Sequence, residues 1–239
     1  MPEEGGDRFE GYNEHHMWTH KSGLTRLPYY KDLLKPHYID VMHTEKNVTE
    51  VVWEPSLMET EKSKDNPKAR VDLATLCDRP TQEMRPPANG KNWKRPKTNY
   101  VLTAKQRREV IQWIQTLMFP DGYAANVRRG VNLTTLKVNG MKSHDFHVWI
   151  ERLIPTMVRG FVPEGVWIVL AELSFFFRQL SAKKISRTVI KDLEKAASVL
   201  LCKLEKIFPL SFFNPMQHLI LHLPYEAQMG GLCRAICAI

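Results

Sequence analysis

A mainly α-helical chain, with a compact antiparallel helical bundle over about residues 99–229 behind an irregular, partly helical N-terminal segment, is what three features of the sequence predict. Apolar residues recur at i, i+3, i+4 and i+7 along several stretches after Thr103, the period of helices with one buried face. Helix punctuation bounds those stretches, with Thr103 and Ser186 at capping positions and Gly160 and Pro209 at stops. The connections between them are short, which makes successive helices antiparallel neighbours.

The 239 residues are 43% hydrophobic, enough to build a core, and their formal net charge of +8 favours polyanionic neighbours such as DNA, bound non-specifically. The four cysteines, Cys77, Cys202, Cys233 and Cys237, have no CxxC spacing, so neither a zinc ribbon nor a disulfide framework is indicated. Cys202 lies in an apolar helical run and is expected to be a buried thiol. The polar start of the chain lacks the apolar segment of a secretory signal. The longest apolar stretch, Val166 to Phe177, is interrupted by Glu172 and falls short of the about 20 residues that a membrane span needs. A nuclear or cytoplasmic protein, not secreted and with no membrane partner, is expected.

Taken in order, Met1 to Ser22 has no periodicity and reads as a lead-in. Leu27 to Leu34 offers a short apolar turn before Pro36. Ile39, Met42, Val48, Val51 and Val52 have weak helical spacing, broken at Pro55. Glu59 to Arg70 alternates charges and reads as a solvated face or loop. Pro80, Pro86, Pro87, Gly90 and Pro96 mark a linker. The expected organisation is therefore an N-terminal segment over 1–77, a Pro-rich basic linker over 78–98, a helical domain over 99–229 and a tail over 230–239.

Within the helical domain, Thr103 caps a helix to about Met118, with Val110, Ile111 and Ile114 inside and Lys105 and Arg108 outside. Leu133, Leu136 and Val138 suggest a short extended piece before the Asn139-Gly140 turn. Ser143 is expected to cap the next helix, whose stripe is Phe146, Trp149, Ile150, Leu153, Ile154, Met157 and Val158. Val166 to Leu180 is apolar nearly all round and should be the central buried helix. Ser186 caps another, running to Pro209, and Pro215 opens a last one that Pro224 should end.

Four groups of residues have the types and spacing for chemistry or binding. No acid falls between Glu83 and Glu109, whereas Arg85, Lys91, Lys94, Arg95, Lys97, Lys105, Arg107 and Arg108 do, with Trp93 and Tyr100 interleaved, a composition that tracks phosphates and stacks bases. A solubilising linker running into a charged helix face is the competing reading. His144 and His147 lie three apart, and His218 and His222 four apart, so each pair shares a helix face. Together the four could hold zinc, with a glutamate such as Glu151 as base. Helix-capping or core hydrogen-bonding histidines are the plainer alternative. Asp40, His43 and Glu45 cluster as acids around a histidine do when they bind Mg²⁺ or exchange protons. No Gly-rich phosphate loop, GxSxG elbow or Cys/His nucleophile context is present, so hydrolase, kinase and dehydrogenase readings lack support and no small-molecule substrate is expected.

The segments Leu27 to Leu34 and Pro36 to Val48, the latter containing Met42-His43-Thr44-Glu45-Lys46-Asn47, resemble the end of the transposase core of plant CACTA (En/Spm) DNA transposons. Lys62 to Leu73 resembles the segment that follows. Lys142 to Asp145, Glu151 to Leu153, Ala171 to Arg178, Leu201 to Pro209 and His218 to Ala227 are similar to a plant domain of unknown function that lies downstream in those proteins. The resemblance covers roughly Trp18 to Gly231 and implies a transposon origin, a plant source, a nuclear setting and DNA or other transposon-encoded proteins as partners. It also implies kinship with RNase H-like DDE enzymes, whose three acids hold two metal ions for strand cleavage and transfer. Of those acids only the last has a counterpart, with Glu45 the first candidate and Asp40 the second. The others would precede Met1, and Leu232 to Ile239 replaces the family's usual continuation. The expectation is a truncated, transposase-derived protein without catalysis or a cofactor, retaining contact with DNA or protein. A domesticated binding module using residues 85–108, and a metal-dependent nuclease holding Mg²⁺ or Zn²⁺, are the alternatives.

Overall fold

A computed structural model describes residues 14–15, 23–33, 39–53, 67–76, 79, 82–84, 98–120, 127–209 and 212–230. The chain divides into two units, Met1–Tyr38 and Ile39–Ile239. In the first, the described residues form two 3-10 turns, Gly23–Arg26 and Tyr30–Asp32. The second is mainly helical, as the periodicity predicts, and holds every residue discussed below.

Helix α1 (Val41–Val51) starts on Asp40, whose Oδ1 accepts the His43 N–H at 2.9 Å. Its inner face is built from Thr44, Glu45, Val48 and Thr49, all buried. The two threonines are tolerated inside because each hydroxyl donates one turn back, Thr44 to the Asp40 carbonyl at 2.9 Å and Thr49 to the Glu45 carbonyl at 2.6 Å. Helix α2 (Pro67–Leu76) takes up the end of a run expected to be solvated. Arg70 departs from that expectation: it is fully buried, and its guanidinium donates to the Gln82 carbonyl at 2.9 Å and the Tyr100 hydroxyl at 3.4 Å. Where the Pro-rich segment is described, Arg79 and Gln82 fasten it to the C-terminal end of a later helix, donating to the Phe208 carbonyl at 3.0 Å and the Ile207 carbonyl at 2.8 Å.

Helix α3 (Ala104–Thr116) begins with a capping box. Thr103 Oγ1 accepts the Gln106 N–H at 3.3 Å, and Gln106 Oε1 accepts the Thr103 N–H at 2.9 Å. A 3-10 turn, Val127–Gly130, and a minimal hairpin of β1 (Val131–Asn132) and β2 (Lys137–Val138) follow, with Val131 opposite Val138. Gly130 is required there, because a Cβ would meet the Asn139 carbonyl oxygen at 2.0 Å.

The next helical path is α4 (Ser143–Val148), a π turn (Trp149–Leu153) and α5 (Ile154–Val158). Its predicted stripe is buried at every position. The cap differs from expectation: Lys142 is the N-cap residue and Ser143 the first helical one, because the Asp145 carboxylate takes the Lys142 N–H at 2.8 Å. Pro155 accounts for the π turn. It has no N–H to give the Glu151 carbonyl four residues back, and its ring crowds that carbonyl, so the helix widens there. The Ile154 N–H reaches five residues back to the Trp149 carbonyl, and Ser174 Oγ, from the neighbouring helix, donates to the stranded Glu151 carbonyl at 2.9 Å.

Helix α6 (Glu164–Leu180) packs on the π turn, on α5 and on helices α7 (Arg187–Ile207) and α9 (Leu223–Gly230), which makes it the centre of the unit. Ile168 and Phe175 remain exposed on it. Cys202, expected inside, is exposed, because the buried stripe of α7 is Ile190, Leu193, Ala197, Leu200 and Leu204 and position 202 falls between its last two members on the opposite face. Helix α8 (Pro215–Leu219) is capped by Asn214, whose Oδ1 accepts the Met216 N–H at 2.8 Å, and packs on α1. Pro224 does not end a helix. It sits in the first turn of α9, where the missing N–H has no partner to lose. Among the described residues no helix is long and apolar enough to cross a membrane.

Candidate functional site

The packing of α1 against α4 and the π turn places Glu45 and His147 in contact. Glu45 is on the inner face of α1 with no exposed side-chain surface, and its Oε2 meets Nδ1 of His147. One turn on from His147, the π turn presents Glu151 Oε1 at 4.0 Å from the same Nδ1. The three ligand-type atoms all lie within 4.8 Å of one another. The His147 and Glu151 side chains are only 17% and 12% exposed, so the cluster opens towards solvent at one edge. Elsewhere at the same contact, Trp53, just past α1, packs edge to face on Trp149 at 4.5 Å between ring centres.

This geometry rearranges the residues that the sequence singles out. Of the four histidines, His147 alone joins the cluster of metal-capable groups among the described residues. His144 is exposed, with its ring centre 6.2 Å from that of His147. His218 and His222 face each other, Nε2 to Nε2 at 3.1 Å, on an exposed surface at the α8–α9 junction. Asp40 caps α1 from an exposed position and does not share a site with Glu45. Two metal ions of the DDE kind need more carboxylates than the one candidate acid that reaches this cluster, so Glu45 and Asp40 do not fit a two-metal centre. Glu151, nominated as a base, stands instead as a third ligand-type group.

Of the basic residues, Lys105 and Arg108 are exposed on the first turns of α3, with Lys105 89% exposed and its Nζ 3.9 Å from Glu109. Arg107 is half-buried on the same helix. Arg85, Lys91, Lys94, Arg95 and Lys97 lie outside the described residues. Sequence reading passed over Arg128 and Arg129, which are exposed on the 3-10 turn that packs against α3, beside the exposed Lys137 of β2. Their adjacent positions were the available signal. On another face, α6 and α7 enclose an apolar groove of about 600 Å³ whose walls include Trp167, Phe175, Val189 and Val199.

A family described as a domain of unknown function, DUF4218, matches residues 180–237. The match takes in α7, α8 and α9 and leaves out Glu45, His147 and Glu151. No curated protein and no solved structure matches the chain.

Proposed function

We propose that this chain is a transposase-derived helical module that holds DNA by its charge and performs no strand chemistry of its own. The observation that carries the second half of this reading is the burial of Glu45. The acid that the resemblance assigns to catalysis has no exposed side-chain surface and is engaged by His147, so a phosphodiester has no path to it. A catalytic carboxylate in strand transfer must meet both its metal ions and the substrate. DNA contact is supported by the formal charge of +8 and by the run of exposed bases formed by Lys105, Arg108, Arg129 and Lys137 on α3 and the elements packed against it. A nuclear setting goes with this reading.

Fluorescence anisotropy with labelled duplex DNA over a salt series tests it. Affinity should fall with rising salt irrespective of sequence, and the triple variant Lys105→Glu, Arg108→Glu, Arg129→Glu should flatten the slope of log K against log salt by about 2–3. Undetectable binding at low salt sinks the DNA half. Metal-dependent nicking or strand joining, lost in Glu45→Gln, sinks the non-catalytic half.

A further inference from the structure

The cluster at the α1–α4 contact has a composition that the DNA reading does not use. Glu45, His147 and Glu151 come from two separate helical paths, and their ligand-type atoms converge within 4.8 Å while the side chains are 0%, 17% and 12% exposed. With the imidazole neutral these three groups sum to two negative charges, and with it protonated to one. Two carboxylates brought together in a core repel each other and lose solvation, a combination stabilised when positive charge lies between them. A divalent ion with a neutral imidazole brings the sum of the three to zero.

The local backbone points the same way. Pro155 and Ser174 together impose and satisfy the π turn that presents Glu151 beside His147, and π turns of this kind are concentrated at functional sites. The set of one nitrogen and two carboxylates selects among ions: imidazole suits zinc, copper, iron and nickel, whereas magnesium, calcium and manganese favour all-oxygen sites.

We propose that Glu45, His147 and Glu151 hold one divalent transition-metal ion of the zinc class. Bonds of about 2.0–2.2 Å place tetrahedral ligand atoms about 3.3–3.6 Å apart, so the Glu45–His147 contact opens and Glu151, now 4.0 Å from His147 Nδ1, moves in, both by rotation of carboxylate torsions. A second carboxylate oxygen or a water fills the fourth position. The ion is structural: it pins α1 to α4 and the π turn, and it stands or falls independently of whether the protein binds DNA.

The test uses the full chain carrying His218→Ala and His222→Ala, which removes the exposed histidine pair as a competing site. Chelator-stripped protein is titrated with Co²⁺, read by its visible absorption, and then with Zn²⁺, counted by elemental analysis after dialysis. One equivalent should bind, with a spectrum lacking the strong near-ultraviolet band of thiolate ligation. Glu151→Gln, at the open edge of the cluster, should weaken binding at least tenfold while leaving the helical circular dichroism unchanged. If that variant does not fold, the stoichiometry and spectrum of the parent protein decide. Less than one equivalent, a thiolate band, or an affinity that a folded Glu151→Gln variant leaves unchanged overturns the proposal.

Discussion

Glu45 and His147 show how much one contact can depend on a partner distant in sequence. A carboxylate with no exposed surface keeps its charge inside a protein only where partners compensate for lost water, and His147 Nδ1 is one such partner. Removing one member of a buried pair while leaving the other typically costs about 3–5 kcal/mol. His147→Ala should therefore lower the unfolding free energy by about 3 kcal/mol in urea titrations run with a chelator present. Adding Glu45→Gln to that variant should recover part of the loss, since a neutral amide is less costly to bury; if the two losses add, the pair is not coupled. Both residues were legible in the sequence, but separately: Glu45 through the transposase resemblance, His147 through its spacing from His144. What spacing cannot reveal is which helix faces which. The expected partners of His147 were histidines on α8 and beyond, and the structure supplies carboxylates from α1 and from its own next turn. Arg70 teaches the same lesson. A run of alternating charge predicts solvent, until the Gln82 carbonyl and the Tyr100 hydroxyl offer the acceptors that let a guanidinium go inside.

At the scale of elements, apolar period and capping chemistry carried most of the information. Thr103, Ser186 and Asn214 are N-caps whose side chains accept backbone N–H groups, and the α4–α5 and α7 stripes are buried where the period of 3.6 places them. The π turn was not legible from period, because its cause is a subtraction at Pro155 and its remedy is a hydroxyl on another helix. That pairing makes a sharp prediction. Ser174→Ala strands the Glu151 carbonyl in the core and should destabilise by about 1–3 kcal/mol, read from the denaturant midpoint. In a Pro155→Ala background residue 155 regains an N–H for that carbonyl, so the same serine substitution should cost markedly less. Equal costs in the two backgrounds would mean that the widened turn has another origin. Pro224 illustrates the converse problem: a proline that reads as a stop is equally suited to a start, and only the turn at residues 220–222 decides which.

The whole second unit is held by contacts that cross the boundaries of the family match. The match to residues 180–237 begins at the last residue of α6. Yet the stripe of α7 is covered by α6 as well as α9, and α8 lies on α1. A peptide of those residues keeps the Ser186 cap and the 21 residues of α7, but of the helices that cover α7 it keeps α9 and loses α6, and an amphipathic helix draws most of its stability from partner faces. Expressed alone, residues 180–237 should therefore show partial helicity, poor amide dispersion and a broad, non-cooperative thermal melt. Extending the start to residue 142 restores α6 and the π turn but leaves Val148 and Trp149 without α1. Residues 39–239 should be the one length of the three to melt in one sharp transition, since they alone contain α1, which packs on α4, the π turn and α8, and with it every member of the Glu45 cluster. Circular dichroism melts of the three lengths, with proton–nitrogen correlation spectra of each, decide the matter. A cooperative transition in the shortest would make the matched segment a domain in its own right and reduce α6 and α1 to additions.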